Sequence, residues 1–235
     1  MKEVEENMQD MWSGISSNYG NADDLEQKQR QKLAIFLEWK KWSLLELACG
    51  NGKVLQEIQK QNKELSLSWM DYNVSMVQQA KKIIPRWNFW VWDITKERDV
   101  GSKNYDIVLC LNSLHNLPDT SIIYSTFETM IRTVWKWWYV VFDVRNKWNP
   151  FISHGYKTSR TQWLSFWTLN YKRVLKIFKK QGFKEIIVQW IYYRNQKESF
   201  FDSRFKILNF LYTLYLYITR YTLFSPYIFI VLQKK

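Results

Sequence analysis

The sequence predicts an α/β fold, a parallel, doubly wound sheet with helices on both faces, and three observations predict it. Short apolar runs and helix-period segments alternate from residue 43 onward. The first run enters a turn carrying Gly50 and Gly52, and a helical stripe of Val54, Leu55 and Ile58 follows it. The second run ends on an acidic residue, Asp71, about twenty positions further on.

Taken in order, Leu25 to Leu37 reads as a helix ahead of the sheet. Leu44 to Ala48 is apolar and short enough for a buried strand, and Gly52 to Gln61 is the helix it feeds. Leu65 to Met70 and Asn88 to Trp92 read as the next two strands, separated by a helix over Val74 to Ile84. Tyr105 to Leu111 is the fourth strand, Ser121 to Val134 its helix and Tyr139 to Val144 the fifth strand. Asn170 to Gln181 reads as a helix, Lys184 to Tyr193 as a strand, Ser203 to Tyr221 as a helix and Tyr227 to Leu232 as the last strand. Nothing repeats and no linker divides the chain, so a single domain over residues 1–235 is expected.

Phe205 to Leu223 is rich in Leu, Tyr, Phe and Ile, but its apolar run from Ile207 to Thr219 stops at Arg220, with Pro226 soon after. A membrane span needs about twenty apolar residues. The segment is read as a buried helix between the last two strands; the alternative is an interfacial helix giving peripheral membrane contact through residues 203–223, with Arg204, Lys206 and Arg220 toward lipid phosphates.

The turn Leu45-Glu46-Leu47-Ala48-Cys49-Gly50-Asn51-Gly52 reads as a nucleotide-cofactor site, because its glycines let backbone approach a ligand and Asp71 can accept from both ribose hydroxyls. A dinucleotide site would need a third small residue, and Lys53, Val54 and Leu55 stand there instead, which excludes the usual NAD fingerprint. The turn resembles the first motif of the class I S-adenosylmethionine-dependent methyltransferases, with Ala48 where glycine is commoner. The resemblance continues through Asp71-Tyr72-Asn73, Trp92-Asp93-Ile94, Tyr105 to Leu109, and Leu114 to Asp119.

That resemblance implies seven strands with the last antiparallel, and S-adenosyl-L-methionine as cofactor. It implies an N-terminal helical cap over 1–40, a cofactor-binding half over 41–145, and a substrate-side half over 146–235 with a helical insertion at about 203–221. Glu46 would approach the amino-acid end of the cofactor beside Ala48, Gly50 and Gly52. Asp71 and Tyr72 would lie at the ribose, Asp93 would accept the adenine amine, and Ile94 and Met76 would flank the ring. Leu111 and Asn112 would face the same crevice, and Trp12 with Tyr19 resembles the family's W-x6-Y segment lying over the cofactor. His115 is a candidate base or substrate contact, or a packing residue. Arg145 and Asn146 are candidates for gripping the acceptor, the alternative for Arg145 being local pairing with Asp143. His154 and Tyr156 fall in a stretch resembling the family's variable substrate-covering region.

Composition narrows the function further. A chain that is 46% hydrophobic and 24% charged is globular, and its formal charge of +12 is spread along the sequence and mostly lysine, as on a solvated surface rather than a nucleic-acid footprint. Cys49 and Cys110 have neither metal-ligand nor disulfide-scaffold spacing, and Met1 to Asp10 lacks the apolar stretch of a signal peptide, so a reduced cytoplasmic protein without a metal is expected. The sequence has Leu111-Asn112-Ser113-Leu114 where a D/N-P-P-Y/F tetrapeptide would mark methylation of an exocyclic base or glutamine amine. The expected function is methyl transfer to oxygen or nitrogen of a small-molecule, saccharide or lipid-like acceptor. An RNA methyltransferase and a cofactor-binding protein without catalysis are the alternatives.

The chain has 14 Trp and 7 Gly, against roughly 16 Gly in an average chain of this length. Trp69 and Trp92 stand where a glycine would be expected, and Trp137 and Trp138 occupy the turn before the fifth strand, where related methyltransferases carry a glycine pair. Two readings are open: an aromatic-rich, glycine-poor core, or UGA codons read as glycine in the source organism and rendered here as tryptophan.

Overall fold

A computed structural model describes residues 9–14, 31, 33–38, 41–85, 87–94, 104–158, 167–191, 210, 214 and 227–235. Tyr19, the first part of the helix expected at 25–37, and the helix expected at 203–221, apart from positions 210 and 214, lie outside the described residues.

Seven strands form one sheet: β1 (Ser43–Leu47), β2 (Ser66–Asp71), β3 (Asn88–Val91), β4 (Tyr105–Cys110), β5 (Val134–Arg145), β6 (Phe183–Ile191) and β7 (Tyr227–Lys234), in spatial order β3-β2-β1-β4-β5-β7-β6. β1 to β5 run parallel, and β7 inserts antiparallel between β5 and β6. The helices are α1 (Lys53–Gln61), α2 (Val74–Ile83), α3 (Thr120–Thr133), α4 (Pro150–Thr158) and α5 (Tyr171–Lys180), with a 3-10 turn at Leu114–Asn116. The strand order reverses between β1 and β4, so ligands are expected in the crevice beyond their carboxyl ends.

The central strands β1 and β4 and the second half of β5 are largely buried because both faces of the sheet are covered there. Successive side chains point to opposite faces. Leu45, Val108, Val140 and Phe142 pack in one core with Phe127 and Phe178, while Leu44, Ile107, Leu109 and Val141 pack in a second with Leu55, Ile58 and Trp69. Helix starts follow their capping residues. Asn73 Oδ1 accepts from Met76 N at 2.9 Å, Asp119 Oδ1 from Ser121 N at 2.7 Å and Ile122 N at 3.0 Å, and Asn170 Oδ1 from Arg173 N at 3.3 Å.

Two features depart from the sequence reading. Helix α4 was not expected; Asn149 Oδ1 accepts from Ile152 N at 2.8 Å, so Asn149-Pro150 is a cap followed by proline in the first turn, the place where its missing N–H costs nothing. β5 also begins earlier than Tyr139. Val134 pairs with Tyr105 and the next partner of β4 is Tyr139, opposite Ile107, so residues 135–138 bulge out of the sheet. The turn expected at Trp137 and Trp138 is this bulge, with Trp137 at φ 75°.

Candidate functional site

The cofactor turn is made by β1 running into α1. Ala48, Gly50 and Gly52 have φ of 55°, 55° and 79°, a run of left-handed residues that folds the chain back within five positions. Cys49 N donates to Met70 O at 3.0 Å and Gly52 N to Cys49 O at 3.1 Å, which ties the turn to β2. Gly52 was expected to admit the ligand. Its environment shows a second constraint: a Cβ there would meet Ala80 Cβ at 3.0 Å, so it also lets α1 pack against α2.

Asp71 closes the turn from the neighbouring strand. Its Oδ2 accepts from Gly50 N at 2.8 Å and its Oδ1 from Asn73 N at 2.9 Å. Burial pushes its carboxyl up to about 6, against which the N–H groups of Asn73, Gly50 and Tyr72 pull down. No cation among the described residues pairs with it. The end of β3 is held alongside, since Trp92 N donates to Asp71 O at 2.8 Å. Burial, then the charges of Asp71 and Asp93, raise the Tyr72 phenol above its usual range, and its enclosed hydroxyl has no hydrogen-bond partner. Burial, then the carboxylates of Asp71 and Glu46, raise the Cys49 thiol.

Glu46, Gly50, Asp71, Tyr72 and Asp93 therefore meet at the carboxyl ends of β1, β2 and β3, each within electrostatic reach of a neighbour in the group. Glu46 is buried in β1, and Met76 is buried on the first turn of α2. Ile94 is also buried and belongs to the larger core cluster. Trp12 is half-buried in the helical stretch 9–14. That stretch reaches the site through Asn73, whose Nδ2 donates to Gln9 O at 2.9 Å and Ser13 Oγ at 3.1 Å. The sequence reading named Asn73 with Asp71 and Tyr72 but gave it no role of its own; the signal was its place two residues after Asp71, just ahead of a helix.

Beyond β4, Leu111 is buried and Asn112 takes φ 54°. Ser113 Oγ donates to Leu111 O at 2.9 Å and to Ala48 O at 3.2 Å, joining this tip to the cofactor turn. His115 lies in the 3-10 turn, where burial, then the Arg145 guanidinium, hold its imidazole well below the usual range. Arg145 is buried and forms an ion pair with Asp143, while its Nη2 donates to Asn112 Oδ1 at 3.1 Å and its guanidinium lies 4.5 Å from the centre of the Tyr227 ring. Asn146 is fully buried, and its Oδ1 accepts from Trp148 N at 3.1 Å. Arg145 thus makes the pair with Asp143 that was its alternative reading, because alternate residues of β5 place the two side by side, and Asn146 closes a turn.

Among the described residues no group of His, Cys, Asp and Glu is placed to hold a metal ion, and no helix is long and apolar enough to cross a membrane.

The residues present fit an adenosine-bearing cofactor: a left-handed turn that brings backbone close and, among the described residues, a buried carboxylate that no cation compensates and an enclosed phenol hydroxyl with no partner. Residues 45–133 match the methyltransferase domain family. A search of curated proteins finds no relative. Solved structures share the fold at low identity. The N-methyltransferase NodS of Bradyrhizobium japonicum with bound S-adenosylhomocysteine is 13% identical, covering 91% of this chain and 89% of its own with TM-score 0.60. A putative methyltransferase in complex with the Haloferax volcanii activator Trm112 is 14% identical, with coverage of 95% and 94% and TM-score 0.69. The magnesium protoporphyrin IX methyltransferase of Synechocystis with S-adenosylhomocysteine is 12% identical, with coverage of 89% and 83% and TM-score 0.61. The family match falls on the residues that build the cofactor turn and the strand ends around it, so residues 45–133 carry a methyltransferase domain, on a fold shared with S-adenosylmethionine-dependent methyltransferases.

Proposed function

We propose that the chain moves the methyl group of S-adenosylmethionine to an oxygen or nitrogen of a small-molecule, saccharide or lipid-like acceptor. The cofactor supplies an already activated carbon, a methyl on a sulfonium, so the protein's work is to hold nucleophile and carbon in line and dry. Glu46 and the backbone of residues 48–52 hold the amino-acid end, Asp71 and Tyr72 the ribose, and Asp93 the adenine edge. Leu111 and Asn112 border the place where the methyl is transferred. Positioning of this kind lowers a barrier by roughly 7–11 kcal/mol.

The observation that carries the reading is Asp71: a buried carboxylate with no cation against it among the described residues, accepting from Gly50 N and Asn73 N, is poised to accept a neutral diol. His115 is proposed to accept the proton that the acceptor's nucleophile releases. Its depressed basicity keeps the ring neutral near pH 7, the form that can accept a proton. Support for a small acceptor comes from the β4 tip, Asn112-Ser113, which lacks the tetrapeptide of base and glutamine-amine methylation, and from a similar fold that acts on magnesium protoporphyrin IX.

The test is calorimetric titration with S-adenosylhomocysteine, followed by transfer of radiolabelled methyl to metabolite, saccharide, lipid and RNA fractions. Label in the RNA fraction alone would replace the acceptor class, and binding without transfer to any fraction would favour a non-catalytic partner. His115→Asn is expected to lower turnover while S-adenosylhomocysteine affinity stays unchanged.

A further inference from the structure

Among the described residues three non-glycine residues adopt left-handed backbone, and two of them, Ala48 and Asn112, lie close to the contact of Ser113 Oγ, which donates to Ala48 O and to Leu111 O on either side. A left-handed conformation disfavours any residue with a Cβ and persists only where surrounding contacts impose it. At Asn112 those contacts come from β5. Asp143 Oδ1 accepts from Asn112 N at 2.6 Å, its Oδ2 pairs with Arg145 Nη1, and Arg145 Nη2 donates to Asn112 Oδ1 at 3.1 Å. The ring of contacts is closed, since one aspartate and one arginine grip both the backbone and the side chain of the same residue.

We propose that the buried Asp143–Arg145 pair is a positioning clamp for the methyl-transfer turn: it holds Asn112 in its left-handed conformation and, through Ser113, sets the β4 tip against Ala48 of the cofactor turn. The inference rests on the methyltransferase reading and concerns residues with no direct contact to the acceptor. The clamp also joins distant parts of the chain. Arg145 packs on the Tyr227 ring of β7, Arg145 O accepts from Leu169 N at 2.7 Å, and His115 O from Trp167 N at 2.9 Å, so the stretch 167–169 is laid along the same tip. One N–H of each terminal nitrogen of the guanidinium is directed at Asp143 and Asn112.

The decisive experiment is a rescue, read by calorimetry with S-adenosylhomocysteine on the full chain. Wild-type protein binds the probe; if it does not, the cofactor reading fails and the clamp is not at issue. Arg145→Met is expected to weaken binding about tenfold, and Arg145→Lys less, because lysine restores the charge without the planar fork. Adding Asn112→Gly to Arg145→Met should return the affinity to within about threefold of wild type, since glycine takes the left-handed conformation without being held there. A residue important only for global stability would show no such rescue. Asp143→Asn/Arg145→Met carries the same test without leaving a lone charge buried, should the single variant not fold. Native affinity in Arg145→Met, or no recovery on adding Asn112→Gly, overturns the proposal.

Discussion

Asp71 and Asp143 are both buried near the carboxyl ends of parallel strands, at 6% and 3% exposure, and both accept a hydrogen bond from the backbone of a left-handed turn. Their surroundings differ in one respect. Asp143 has a guanidinium against it, while Asp71 has only N–H groups. A buried carboxylate with a cation is spent on the fold, and its remaining capacity goes to orienting Asn112. A buried carboxylate without one carries a desolvation penalty that backbone N–H groups offset in part and a ligand's donors would offset further. The same side chain thus serves the scaffold at Asp143 and, in the proposed function, cofactor binding at Asp71.

Removing Asp71 should have the largest effect. Asp71→Ala takes away both the proposed diol acceptor and the bond to Gly50 N, and affinity for S-adenosylhomocysteine should fall about a hundredfold, near 3 kcal/mol. Asp71→Asn keeps the shape but replaces one acceptor by a donor, and should lose nearly as much. Affinity within threefold of wild type in calorimetry would assign the diol to another group.

Gly52→Ala probes the turn from its other side. The added Cβ would sit 3.0 Å from Ala80 Cβ at φ 79°, where both packing and conformation oppose it. A loss of about 2 kcal/mol in denaturant unfolding is expected, a drop in melting temperature of about 4–8 °C. An unchanged midpoint would mean that α1 and α2 separate without cost.

The pH dependence separates the two aspartates more finely. The carboxyl of Asp71 stands at about 6 in the folded protein against 3.8 ordinarily, so between those values the folded state holds a proton the unfolded chain has lost. Its contribution to stability is fullest below that window and is lost as pH rises through 6. Binding runs the other way, because the ribose diol donates to the ionised form. Affinity for S-adenosylhomocysteine should hold above pH 7 and fall as pH drops through 6, by up to about tenfold per unit. A flat profile between pH 5 and 7 would show that the cofactor does not read the charge of Asp71.

Much of the cofactor side was legible because it is local. A strand, a glycine turn and a helix are contiguous in sequence, and an acid at the next strand end is one crossover away, so Gly50 and Asp71 could be placed from spacing. The acceptor side was not, for two reasons. Arg145 reads alike as a ligand grip or half of a pair until the register of β5 puts Asp143 beside it and the β4 tip puts Asn112 within reach, contacts that span 31 and 33 positions. Helix α4 was hidden by the proline that begins it, a residue that ends helices more often than it opens them. The bulge at 135–138 escaped for a related reason: the strand resumes its apolar alternation at Tyr139, and the pairing of Val134 with Tyr105 is a tertiary fact.

That bulge carries the smallest predicted effect and decides between the two readings of the tryptophans. Trp69 is fully buried in β2 and stacked on Phe89 with ring centres 4.7 Å apart, and Trp138 lies edge-on to Trp42 at 4.6 Å; both are packed side chains. Trp137 is 62% exposed, at φ 75°, in a bulge where a side chain gains little. A left-handed residue with a Cβ costs about 1–2 kcal/mol. Glycine at 137 would remove that, giving back about 0.5–1 kcal/mol of chain entropy and about 0.5 kcal/mol of the contact of Lys136 over the ring at 5.0 Å. Trp137→Gly should therefore raise the melting temperature by up to about 2 °C, whereas the same change at Trp69 opens a cavity and lowers it. If position 137 is encoded by UGA and read as glycine in the source organism, the natural polypeptide already has this gain, and its mass falls short of the tryptophan form by one indole-bearing side chain. A UGG codon there, together with a melting temperature that drops in Trp137→Gly, would mean that the bulge is built around the tryptophan.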